Sequence, residues 1–100
     1  PSLGIGPHLH PGVSAHLEAV ARGLGLPYQI DVEPTPRGTD AFALQVARAG
    51  RPTGLVSFPL RHMHTPAEVV SLGDVEATGR LLAEAVARLD RRTVEGWQCC

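Results

Sequence analysis

A chain of 100 residues, 43% of them apolar and 19% charged, has the composition of one folded domain and excludes intrinsic disorder. Its formal net charge of −1 removes the electrostatic argument for nucleic acid or an anionic membrane as a partner. No apolar run approaches the roughly 20 residues that a membrane-spanning helix needs, and the adjacent Cys99 and Cys100 neither staple a fold nor match a zinc-ligand spacing.

A reduced cysteine tail and the lack of a leader pattern lead to the expectation of a cytoplasmic protein. The apolar opening at Pro1-Ser2-Leu3 reads as a cut inside a larger protein.

Residues 3–6 are short, apolar and punctuated by glycine, which predicts a buried strand; residues 7–12 are turn material. From Val13 onward the apolar positions Val13, Leu17, Val20, Ala21 and Leu24 fall on one face of a helix. Pro11 suits its first turn and Gly25 its left-handed stop. Tyr28, Ile30 and Val32 then alternate with Gln29, Asp31 and Glu33, the period of a strand with one buried face near a sheet edge.

After the break at residues 34–38, Thr39 or Asp40 starts a second helix that runs to about Ala49 and closes at Gly50. Its content (Ala41, Phe42, Ala43, Leu44, Val46, Ala47) predicts that it is mostly buried. Residues 54–60 form a nearly continuous apolar run, the pattern of a central strand covered on both faces. Residues 61–66 follow as a loop or short extended piece.

Ser71 and Asp74 resemble a capping box. The helix they open is predicted to run to about Asp90, burying Val75, Thr78, Leu82, Ala85, Val86 and Leu89, with Arg88, Arg91 and Arg92 at its negative end. Residues 93–100 form a tail with no clear period, beyond a folded part spanning 1–92.

Alternating strands and helices predict an α/β layer architecture. Ligands in such sheets gather at the carboxyl ends of strands, which directs attention to the loops at 35–40 and 61–66. The second reads Arg61-His62-Met63-His64-Thr65-Pro66. Imidazole is a common metal ligand, but residue types alone leave two readings open, a metal or catalytic site and a polar loop. On an extended segment the two rings would point to opposite faces, so at most one would serve a given site. In Gly38-Thr39-Asp40-Ala41 a glycine ahead of free helix N–H groups could admit a ligand, or Thr39 or Asp40 simply caps the helix. His8 and His10 are either an adventitious metal site or surface histidines. Trp97 is left undecided between packing back on the domain and remaining loose.

Taken together, these segments form an ordered set. Gly4-Ile5-Gly6-Pro7, His10-Pro11, Gly25-Leu26-Pro27-Tyr28-Gln29, Gly38-Thr39-Asp40-Ala41, Gly50-Arg51-Pro52-Thr53-Gly54 and Pro59-Leu60-Arg61-His62-Met63-His64-Thr65-Pro66-Ala67-Glu68-Val69-Val70 follow one another along the chain. The set resembles the carboxyl-terminal region of the glutamyl aminopeptidase family, which includes the large tetrahedral aminopeptidases and proteins often labelled endoglucanases. The resemblance covers roughly residues 1–90.

The resemblance implies a fragment of a three-layer αβα sandwich of the zinc-peptidase type. It implies a metallopeptidase with two divalent ions, zinc or cobalt, that activate water and polarise a peptide carbonyl. The family's last metal ligand maps onto His64. Gly38, Thr39, Asp40, Arg61 and His62 fall near the metal or on the substrate side, and His62 stands where the family commonly has tyrosine. The other ligands and the general base lie in sequence that this chain does not contain, as does the family's β-rich assembly domain.

A catalytic zinc needs about three protein ligands. The chain alone is therefore expected to bind no metal, to lack activity, and to expose an apolar sheet edge or face that favours self-association. The whole enzyme is expected to act on peptides as a homo-oligomer. The competing reading is a binding or regulatory module that kept the fold and lost the chemistry.

Overall fold

The computed structural model describes residues 1–32, 34, 40–46 and 50–97. The order of elements is β1 (Ser2–Ile5), α1 (Pro11–Leu24), β2 (Gln29–Val32), α2 (Asp40–Gln45), β3 (Val56–Ser57), β4 (Leu60–Arg61), β5 (Val69–Val70), α3 (Leu72–Ala87) and α4 (Arg91–Trp97). The architecture is α/β, as the alternation predicts.

β1 and β2 pair in parallel, with Leu3 opposite Ile30, and α1 makes the crossover between them. The ends of α1 are set by local chemistry. His10 is its N-cap; the ring Nδ1 accepts the Gly12 N–H at 2.9 Å, and Pro11 takes a first-turn position where a missing N–H costs nothing. Gly25 closes the helix at φ 68°, and its N–H and that of Leu26 reach back to carbonyls of the last turn. Below the cap, Arg22 donates to Glu18 at 2.6 Å and to the Tyr28 hydroxyl at 2.9 Å. The Tyr28 hydroxyl donates to Glu18 at 2.8 Å, joining the end of α1 to the approach to β2. The Tyr28 hydroxyl and the Glu18 charge hold the Arg22 guanidinium proton above its ordinary range.

The core gathers Leu3 of β1, Leu17, Val20 and Ala21 of α1, and Leu81 and Ala85 of α3, with Val13, Leu24, Leu26, Tyr28 and Val56 packed against them. α1 thus packs its apolar face against both β1 and α3. The His16 Nε2 lies 2.9 Å from the Ala85 carbonyl and ties the two helices together.

Several expectations are corrected. First, residues 54–60 do not form one central strand. β1 is central, in the order β2-β1-β3, and β3 pairs with it antiparallel over two residues. Pro59, with no N–H to give a ladder, separates β3 from β4, which belongs to a second sheet with β5. Second, β2 buries no face: all four residues are exposed, Val32 to 63%. The sheet thereby presents Ile5, Ile30 and Val32 as uncovered apolar side chains.

Third, α2 spans Asp40–Gln45, and Leu44 and Val46 are exposed, although Ala41 is buried. Residues 47–49 lie outside the described set, and Gly50 has φ 91°. Fourth, α3 begins at its Ser71 cap as expected but ends at Ala87, and its buried face is Thr78, Leu81 and Ala85. Val75, Leu82, Val86 and Leu89 form the adjoining exposed stripe. Arg91 and Arg92 belong to the first turn of α4 instead of the end of α3.

Fifth, His8 is buried, not on the surface. The turn at residues 6–10 is pinned inward by the Leu9 N–H to Gly6 and the His10 N–H to the Thr53 carbonyl. The last helix, α4, also crosses residue 92, where the sequence pattern suggests that a tail begins. Asp90 caps it, accepting the Thr93 N–H at 2.7 Å. Trp97, at its end, packs against His10 and His16 of the first helix region.

Candidate functional site

The histidine pair stands on a turn between two short antiparallel strands. β4 and β5 pair Leu60 with Val70 and Arg61 with Val69, so residues 62–68 form the reversal between them. Every residue from Arg61 to Val70 is solvent-exposed. His62 and His64 both adopt φ 62°, the left-handed region. This corrects the expectation that the rings alternate across an extended segment, because period-two alternation applies only to extended backbone.

Holding a side chain other than glycine in this region costs about 1 kcal/mol or more per residue. The compensation comes from Thr65. Its N–H donates to the His62 carbonyl at 3.2 Å, and its hydroxyl lies within hydrogen-bond reach of the same carbonyl and of the Ala67 carbonyl at 3.1 Å. Each such bond contributes about 1 kcal/mol net, comparable with the cost of one left-handed histidine. Pro66 restricts Thr65 to extended backbone from the other side.

The structure thus brings Arg61, His62 and His64 onto one exposed reversal. Gly38 and Thr39 lie outside the described residues, as does the side chain of Asp40, which opens α2. Among the described residues, no group of three or more His, Cys, Asp or Glu side chains stands close enough to hold a metal ion. His64 offers one imidazole; a catalytic zinc takes about three protein ligands and an open position. The described residues of this chain do not make a complete site.

Sequence reading overlooked two participants. Thr65 carries the hydrogen bonds of the turn; a threonine ahead of proline, directly after His-x-His, was the available signal. His16 links α1 to α3 and meets Trp97, and a lone histidine within a helix gave no hint of it.

This fold superposes on solved aminopeptidase structures. A TET aminopeptidase from a marine-sediment Thaumarchaeota archaeon superposes with a TM-score of 0.87 at 31% identity, over 97% of this chain and 28% of that one. An aminopeptidase from the archaeon Desulfurococcus kamchatkensis gives 0.87 at 25% identity, over 100% of this chain and 29% of that one.

Residues 3–81 match the model of the M42 glutamyl aminopeptidase family, and the chain belongs to that family. It is 35% identical over 81 residues to a lysyl aminopeptidase of Pyrococcus furiosus, and 34% identical over 77 residues to a putative aminopeptidase of Acetivibrio thermocellus. It spans 23% of the length of each of these relatives.

Proposed function

We propose that this chain forms the carboxyl-terminal part of the catalytic domain of a metal-dependent aminopeptidase, one that removes amino-terminal residues from peptides. The observation that carries the reading is the family match over residues 3–81, a span that includes the exposed turn bearing His64. The folded part runs on through α4 to Trp97, past the boundary at residue 92 that the sequence pattern suggests. In the whole enzyme, His64 supplies one imidazole ligand to one of two divalent ions, zinc or cobalt. Bound there, the ions would activate a water and polarise the scissile carbonyl. Arg61 and His62, on the same reversal, flank that ligand, and the Gly38-Thr39-Asp40 segment contributes on the substrate side.

A single exposed imidazole does not offset the dehydration of a metal ion. The chain alone is therefore inactive and metal-free, and the remaining ligands come from sequence outside it. The uncovered Ile5, Ile30 and Val32 are the surface on which further protein packs. The whole enzyme is assigned to the cytoplasm as a homo-oligomer.

The test is made in the full-length protein that carries this sequence. His64→Ala is expected to lower both bound metal, by elemental analysis, and kcat/KM on peptide amides by about 100-fold or more. Retention of metal and activity would remove His64 from the ligand set. A reading frame that stops short of further His, Asp and Glu ligands upstream would remove the enzyme reading altogether.

A further inference from the structure

We infer that Thr65 is the positioning residue for His64, a role that rests on the reading of His64 as a metal ligand. His62 and His64 are left-handed, and no packing holds them so, because the whole reversal is exposed. Backbone in that region persists only where its surroundings over-determine it. Among the described residues, the hydrogen bonds internal to positions 62–68 all involve Thr65. They reach residue 62 on one side of His64 and residue 67 on the other, so they span the ligand.

The hydroxyl carries one proton and faces two carbonyls, His62 and Ala67. It closes the reversal between the His62–Met63 peptide on one side of His64 and the Ala67–Glu68 peptide on the other. The direction in which the His64 ring leaves the backbone is set by the φ that this closure maintains. Ligand-orienting hydrogen bonds of this kind commonly govern metal affinity tenfold or more. What each contributes to folding is offset by the left-handed strain it maintains, so losing one releases that strain and leaves overall stability little changed.

That asymmetry makes the role separable from a structural one. Thr65→Val keeps the shape and β-branch and deletes the hydroxyl; Thr65→Ser restores the hydroxyl. Two readouts are required. In the isotopically labelled 100-residue chain, the intraresidue amide-to-Hα NOE of His64 reports the left-handed φ. It is expected to weaken in Thr65→Val and to persist in Thr65→Ser, with the thermal midpoint unchanged in both.

In the full-length protein, competition titration with zinc is expected to show affinity about tenfold weaker for Thr65→Val and restored in Thr65→Ser. Wild-type zinc affinity in Thr65→Val, or equal loss in Thr65→Ser, overturns the inference. His64→Ala separates the two levels. If it lowers zinc affinity while Thr65→Val does not, only the positioning role fails. If His64→Ala itself leaves zinc affinity intact, the ligand reading fails and takes this inference with it.

Discussion

The indole of Trp97 meets the imidazole of His16 edge to face, with ring centroids 5.6 Å apart and planes at 67°. His10 stands at 6.3 Å on another side of the same indole. The contact returns the end of α4 to the first turns of α1 and so joins residues about 80 positions apart in sequence. It needs room, and Gly12 provides it: a Cβ at residue 12 would lie 2.4 Å from Trp97 Cδ1 and 3.0 Å from His10 Cε1.

Gly12→Ala is therefore expected to carry opposite signs in two backgrounds. Alanine in a helix is worth about 1 kcal/mol over glycine. In the wild-type chain that gain is more than offset, because the indole must leave its seat, and the single tryptophan should show a red-shifted emission. In a Trp97→Ala background only the edge of the His10 ring still crowds that Cβ, and Gly12→Ala should stabilise by less than about 1 kcal/mol. Urea unfolding of the four variants checks this; equal effects in both backgrounds would show that the close approach does not govern the site.

Leu81 and Leu82 are neighbours with different fates, the first 0% and the second 45% exposed. Leu81→Ala removes a side chain from the centre of the α1–α3 core and should cost about 2–5 kcal/mol. Leu82→Ala should cost less than about 1 kcal/mol, because its methyl groups already face water in the folded state. Thermal or denaturant unfolding of the pair distinguishes the observed face of α3 from the face that periodicity suggests.

Asp90 caps α4, and the Thr93 N–H holds its carboxyl below the usual carboxylate range, with His16 adding a smaller effect. A depressed folded-state value means that the carboxylate stabilises the cap fully above the unfolded value of about 3.9. The contribution is lost as pH falls from there through the folded value. Amide exchange at Thr93 should accelerate over that acid window in the wild type. Asp90→Asn, which keeps an acceptor but cannot take up the proton, should show no such window; an unchanged acid response in Asp90→Asn would place its origin elsewhere.

Ile30 and Val32 are exposed on β2, beside exposed Ile5 on β1. Replacing Ile30 and Val32 together by lysine should cost little stability and should reduce concentration-dependent association of the 100-residue chain. Sedimentation velocity across a concentration series gives the answer. Association that is equally strong in the double variant would locate the sticky surface elsewhere, the Val75, Leu82 and Val86 stripe of α3 being the next to substitute.

Local signals were readable wherever a residue's own chemistry makes the structure. Pro11 at the first turn of α1, Gly25 in the left-handed C-cap and Ser71 at the start of α3 all act within a few residues of themselves. The period of α1 was readable because β1 and α3 cover its apolar face. The period of β2 misled, because alternation reports a preference for burial, and the described residues leave that strand bare on both faces. On α3, apolar positions occupy a wider arc than the core accepts, so their spacing alone could not choose Leu81 over Leu82. The histidine turn was legible as composition and order, while its left-handed backbone was not, since even histidine, enriched there among residues other than glycine, adopts φ above zero only occasionally.

By itself, the sequence determined the α/β class, the helix caps, the family to which the chain belongs and the presence of a histidine pair just beyond an apolar run. These follow from short-range periodicity and from motifs kept in order. Only the tertiary structure decided which strand is central, which face of α3 is buried, where Trp97 rests, and that Thr65 closes the turn around His64. Those outcomes depend on contacts between residues far apart in the chain, or on backbone angles that several weak interactions set jointly, and no local pattern encodes either.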